Sequence, residues 1–84
     1  MAEFDEDSVA AFLDVVRADE LEYVRAFVGQ DEDILRVSDA HGNTALHMAV
    51  GNGHMEMLRY LVGFPAVRAM VNARNEEGNT ALHW

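Results

Sequence analysis

The chain has 84 residues, half of them hydrophobic, with fifteen acidic side chains against six basic ones, a net charge of −9 and no cysteine. That is room for one small domain, and it excludes disulfides, thiolate metal sites and a cysteine nucleophile. Residues 1–39 hold twelve acids and three arginines, while residues 40–84 hold three of each, so the clustered cations that nucleic-acid phosphates require are not there. An acidic half of this kind steers basic proteins toward it, although acids also serve simply to keep a chain soluble. No apolar stretch reaches the ~20 residues of a membrane span. The opening "MAEFDEDSVA" is acidic where a secretory leader is basic and then apolar. With no cysteine staples, the expectation is a cytoplasmic and nuclear protein without membrane or direct nucleic-acid contacts.

In chain order, residues 1–7 read as an acidic tail. Residues 8–38 read as a helix pair, "AFLDVVRADELEYVRAFV", with Ser8 near the first N-cap and Asp19 placed to cap the second helix. Asp39–Asn43 then forms a turn in which Gly42 supplies a position where φ > 0 is cheap. Thr44 sits where an N-cap is expected, and His47, three residues on, can reach back to it as Glu or Gln does in a capping box. "ALHMAV" gives a short helix that "GNG" breaks at Gly51–Gly53. His54–Val62 forms the next helix, with Met55, Leu58, Leu61 and Val62 at helical spacing. "GFPAVRAM" is expected to end it and to form a loop, with Gly63 as C-terminal cap and Pro65 unable to continue the helix. Val71–Ala73 leads into a second turn, Asn75–Asn79. The chain then repeats "GNTALH" at Gly78–His83 and ends at Trp84.

The two copies of "GNTALH" lie 36 residues apart. A fixed spacing in that range marks stacked repeats. The unit, a turn followed by two short antiparallel helices built on T-A-L-H-x-A, resembles the ankyrin repeat, whose usual core is T-P-L-H-x-A and usual period about 33. Both copies carry Ala where that family has Pro, and three extra residues fall around "GFPAVRAM". An offset of 34 pairs the first helix pair with the second, setting Leu13 against His47, Asp19 against Gly53 and Val24 against Leu58. Residues 8–38 thus read as a degenerate repeat whose polar changes suit an end cap. The expected fold is an all-α ankyrin-repeat solenoid: cap helix pair 8–38, one full repeat 39–74 with a three-residue insertion, and the start of a third at 75–84. About three repeats are needed for stability. The stop at Trp84 therefore suggests a fragment, or an open end that is covered by a partner or by self-association.

Within the family, "TALHMAVGNGH", "LRYLV", "VNARNEEGNTALHW" and the acidic leader are similar to the N-terminal part of the small yeast-type ankyrin-repeat chaperones. Those proteins escort a basic KH-domain ribosomal protein of the small subunit. The resemblance implies a non-enzymatic protein-binding module acting in ribosome biogenesis, with a generic ankyrin adaptor as the alternative. It also implies binding through turn tips and the exposed face of the first helices. Those places are held by Ala40, His41, Asn43, Gly51 and Asn52 in the full repeat and by Glu76, Glu77 and Asn79 in the next turn. Arg17 and Ala18 take them in the cap, with Met48 and Trp84 nearby. Trp84 heads this set because aromatic side chains dominate binding energy; its other reading is a core residue awaiting cover. Glu76 and Glu77, with the acid runs Glu3–Asp7 and Asp31–Asp33, are the electrostatic candidates, against a plain solvated role.

The four histidines, His41, His47, His54 and His83, raise a metal reading. The repeat already accounts for His47 and His83, His54 belongs to a helix start, and there is no H-E-x-x-H. No phosphate-cradling glycine loop occurs, and Ser8 and Ser38 have no base placed beside them by any motif. Neither a cofactor nor an enzyme is expected, and a histidine-based metal hydrolase is the rival that a metal analysis would test.

Overall fold

The computed structural model describes residues 4–80, and their regular structure is helical, with no strand among the described residues. Helix α1 (Glu6–Arg17) and α2 (Leu21–Gln30) form the first antiparallel pair, followed by a 3-10 helix at Glu32–Arg36. Helices α3 (Ala45–Gly51) and α4 (Met55–Val62) form the second pair, and a one-turn helix α5 spans Pro65–Arg68. The first helices, α1 and α3, pack side by side, each against its own partner behind it. An isolated antiparallel bridge, Ser38 to Thr44, closes the turn that enters α3.

The start of α1 corrects the sequence reading. Asp5, not Ser8, is the N-cap: its carboxylate accepts the Ser8 N–H at 2.7 Å. That hydrogen bond holds the Asp5 carboxyl below its ordinary value. Asp and Ser are about equally good caps, and Asp5 takes the role because α1 begins at Glu6. Glu6 and Asp7 fall in the first turn and Arg17 in the last, each matched to the helix dipole.

Asp19 is the second correction. It does not cap α2, whose N-cap, Glu20, makes no side-chain bond. Instead it closes α1 with φ 61°, the one non-glycine residue in the left-handed region among those described. The Glu20 N–H reaches Val15 O and the Asp19 N–H reaches Val16 O, the paired bonds of a Schellman end. Helix α3 ends in the same way: His54 N–H bonds Ala49 O, Gly53 N–H bonds Val50 O, and Gly53 has φ 70°. Asp19 therefore stands where the second pair has Gly53.

The segment "GFPAVRAM" is not a loop. Pro65 occupies the first turn of α5, where its missing N–H is no loss. Gly63 is the C-cap of α4 as expected, though it stays right-handed helical at φ −69° instead of turning left-handed. Arg68 turns back and donates to Val62 O at 2.9 Å, satisfying a carbonyl at the end of α4. Val67 is buried, and α5 packs on the 3-10 helix, whose Ile34 and Leu35 are also buried.

The core runs between the two pairs: Phe12, Leu13 and Val16 of α1, Val24 and Val28 of α2, Ala45, Leu46 and Ala49 of α3, and Met57 and Leu61 of α4. Phe12 meets Phe27 edge to face with centroids 5.7 Å apart. At the back, the Arg25 guanidinium lies 5.3 Å from the centre of the Tyr60 ring, joining α2 to α4.

The matched helix ends give a paired expectation. A Cβ at Gly53 would meet nothing within 4 Å, so Gly53→Ala costs only the backbone strain of φ 70°, about 1 kcal/mol. Asp19→Gly relieves the same strain in α1 and stabilises by at most about 0.5 kcal/mol, the gain reduced by extra freedom in the unfolded chain and by loss of the carboxylate 3.8 Å from His54 Nδ1. Urea unfolding of the two variants checks both signs.

Candidate protein-binding surface

The site is built on two turns that fold alike because a side-chain oxygen at the same position, from Asp39 in one and Asn75 in the other, organises each. In the first, the Asp39 carboxylate accepts the N–H groups of His41 at 2.8 Å and Asn43 at 2.9 Å, and the Asn43 amide at 3.2 Å. In the second, Asn75 Oδ1 accepts the N–H groups of Glu77 and Asn79, both at 3.0 Å. Asp39 N–H bonds Asn43 O and Asn75 N–H bonds Asn79 O, so each turn is a closed finger. Gly42 allows the fingers to stack: at φ 79° it lies so near the second turn that a Cβ would sit 3.2 Å from Asn75 Cα.

The fingers are bonded to one another. Glu76 N–H donates to His41 O at 2.6 Å, and the Asn75 amide donates to Asn43 Oδ1 at 2.9 Å in a buried position. His47 makes the longest link. Its Nδ1 accepts the Thr44 N–H at 3.2 Å and lies 2.9 Å from Thr44 Oγ1, while the Thr44 hydroxyl accepts the His47 N–H. Since Nδ1 is an acceptor from the backbone, the neutral ring carries its proton on Nε2. Nε2 then donates to Asn79 O at 2.9 Å. The capping box of α3 thus also holds the following turn.

This network separates the candidate residues. Arg17, Ala40, Asn43, Met48, Gly51 and Asn52 are brought together along one groove between the first helices and the first finger. Its two chambers, of about 480 and 550 Å³, share Arg17, Asp39 and Met48. Asn43 lines the groove but is buried, with its amide committed to Asp39 and Asn75. Asn52 is exposed, and its amide donates to Met48 O at 2.8 Å. Arg17 is paired with Asp14 at 2.6 Å, both largely exposed. His41, Glu76 and Glu77 sit apart at the finger tips around a third cavity of about 470 Å³, with His41 Nδ1 3.2 Å from Glu76 Oε2. Asn79 is half-buried, its carbonyl taken by His47. Trp84 and His83 lie outside the described residues.

The sequence reading named Glu6 only within the acid run Glu3–Asp7 and missed the rest of the α1 wall of the groove, Val9, Ala10, Leu13 and Asp14, with Phe4 just ahead of the helix. Placing the cap at Ser8 left Phe4–Asp7 outside the fold. Asp5, an acid three residues before Ser8 and ahead of an apolar helical run, was the signal available. The remaining histidine, His54, has Nε2 2.6 Å from Arg17 O and Nδ1 3.8 Å from Asp19, which ties α4 to the end of α1. Among the described residues no three His, Asp or Glu side chains gather as a metal site would require, and no helix is long and apolar enough to cross a membrane.

Asp39 gives the site a pH dependence. Partial burial pushes its carboxyl up, but the hydrogen bonds from Asn43 and His41, with the charge of His41, outweigh burial and hold it below the ordinary 3.8. A carboxyl with a lower pKa in the folded state stabilises the fold above the unfolded value, and that stability is lost as pH falls through the folded value. Asp39→Asn keeps the acceptor, as Asn75 does in the second finger, and removes this part of the acid sensitivity. Asp39→Ala loses the turn at any pH and costs about 1–3 kcal/mol. Unfolding free energies measured at neutral pH and below pH ~4 separate the two.

Comparison with known proteins follows the same lines. The family described as "Ankyrin repeats (3 copies)" matches residues 11–84. The mouse "Protein fem-1 homolog A-like" is 43% identical over 56 residues, 67% of this chain and 8% of that protein. The human and bovine "NF-kappa-B inhibitor zeta" are each 43% identical over 42 residues, half of this chain and 6% of those proteins. The chain therefore spans less than a tenth of the length of these relatives. With a family match over most of its length and the finger-and-helix-pair repeat in its structure, the chain belongs to the ankyrin-repeat family.

Proposed function

We propose that this chain is a non-enzymatic protein-binding module that holds its partner along the groove and across the finger tips. The observation that carries this is a division of labour. Thr44, His47, Asn43 and Asn75, the polar residues of the repeat, are buried and spend their hydrogen bonds inside the fold. Arg17, Ala40, His41, Gly51, Asn52, Glu76 and Glu77 are exposed around them on a framework fixed in advance. A preset surface of this kind loses little entropy on binding. In this reading residues 8–38 act as the cap, 39–74 as a complete unit and 75–84 as the beginning of the next. The name of the human relative, an inhibitor of NF-kappa-B, fits a module that acts by association.

The partner in this reading is a basic protein. Three features support it: the net charge of −9, the crowding of twelve acids into residues 1–39, and the acids Glu76 and Glu77 exposed at the second finger tip. The concrete form is an escort of the small-subunit KH-domain ribosomal protein, working in cytoplasm and nucleus and shielding the client's cations until RNA replaces them. That client rests on the resemblance of "TALHMAVGNGH" and "VNARNEEGNTALHW" noted above. A generic ankyrin adaptor is the alternative.

Titration with the purified KH-domain ribosomal protein across a salt series tests the escort. The expected result is tight binding that weakens steeply with salt. Glu76→Lys with Glu77→Lys reverses two exposed charges and should weaken binding about tenfold or more at low salt. Absence of binding by the folded chain would remove the ribosomal client and leave the adaptor.

A further inference from the structure

The α1 end of the groove has a chemistry of its own. Its floor is apolar: Leu13 is buried, and Phe4, Val9 and Met48 are half-buried against the core. Its rim is acidic. Glu6 stands exposed on α1 and Asp39 faces it from the first finger. Among the described residues lining this end the one cation, Arg17, is already paired with Asp14 at 2.6 Å. The chamber of about 550 Å³ therefore carries two carboxylates that pair with no Lys or Arg among the described residues, around an apolar floor, and its size lies within the range of ligand-holding clefts.

We propose that this chamber receives an apolar side chain flanked by lysine or arginine from the partner protein, an inference that rests on the protein-binding reading above. The apolar side chain covers Val9, Leu13 and Met48. The flanking cations meet Glu6 on one side and Asp39 on the other. Asp39 Oδ2 accepts one hydrogen bond, from the Asn43 amide, and a carboxylate oxygen has capacity for a second. The same arrangement rejects other occupants. An acidic segment would face two like charges, and an uncharged apolar one would strip water from two carboxylates without replacing it. Contact with the floor supplies most of the affinity, and the rim supplies the choice of partner.

The test is selection of random displayed peptides on the full chain, followed by affinity measurement on the chain, on Glu6→Arg and on Val9→Ser, with helicity checked by circular dichroism. The expected peptides carry an apolar residue beside Lys or Arg. Their Kd should rise about fivefold for Glu6→Arg and about tenfold for Val9→Ser. Peptides that are acidic or uncharged, yet weakened by the same two variants, would overturn this proposal and leave the groove a protein-binding surface. Peptides indifferent to both variants would overturn it in favour of another surface, such as the finger tips. If both folded variants and the parent select nothing, the proposal and the protein-binding reading fall together.

Discussion

One imidazole joins what the rest of the structure depends on. His47 accepts from the Thr44 backbone at one nitrogen and donates to Asn79 O from the other. The first bond caps α3, and the second fixes the turn of the next unit 32 residues away. A side chain with one polar end would do only one of these. A ring with a donor and an acceptor on opposite edges does both while remaining buried. Stacked repeats have no long-range core of their own, so a bond of this kind is what makes neighbouring units cooperate. The finger-to-finger bonds lie alongside it and run the opposite way along the stack, with Asn75 donating to Asn43 and Glu76 to His41, so the two units hold each other from both sides.

The first helix pair is joined differently. At the place of His47 it has Leu13, which is buried in the apolar core. Its connection to the second pair runs through packing of α1 on α3, through Arg25 on Tyr60, and through His54 at the Arg17 carbonyl. An apolar joint on one side of α3 and a polar relay on the other follow from which side faces an end and which faces another repeat. The polar side fixes register between turns of the same shape, because a hydrogen bond fails when its partners shift. The apolar side tolerates the divergent sequence of the first pair, because burial is nearly indifferent to direction.

Much of this was legible before any coordinates. "GNTALH" twice at a fixed spacing gave the turn, the cap and the capping box, since each of those is a local event with a short sequence signature. What was not legible depended on competition or on distance. Asp5 displaced Ser8 because both are good caps and only the packing of α1 decides between them. Asp19 went to the end of α1 instead of the start of α2, although its alignment with Gly53 already carried the answer: a position needing φ > 0. Pro65 reads rightly as ending the preceding helix, which stops at Val62, but not as opening a new turn of helix, although the first turn of a helix accepts proline as readily as a loop does. The groove was half legible. Its finger side follows from the repeat, whereas its α1 wall is assembled by Phe4, Glu6 and Val9, residues whose role appears only once α1 is known to start at Glu6.

Mechanics and recognition are therefore carried largely by different residues, with His47 at the centre of the mechanical set and Asp39, which organises a finger and faces the groove, in both. The most direct measurement is native-state hydrogen exchange on His47→Leu, which keeps a buried apolar volume and removes both bonds. The account predicts that the Glu77 and Asn79 amides, held by Asn75 in the second finger, lose about tenfold or more of their protection relative to amides of α1 and α2. Loosening confined to α3, with the second finger as protected as before, would contradict it.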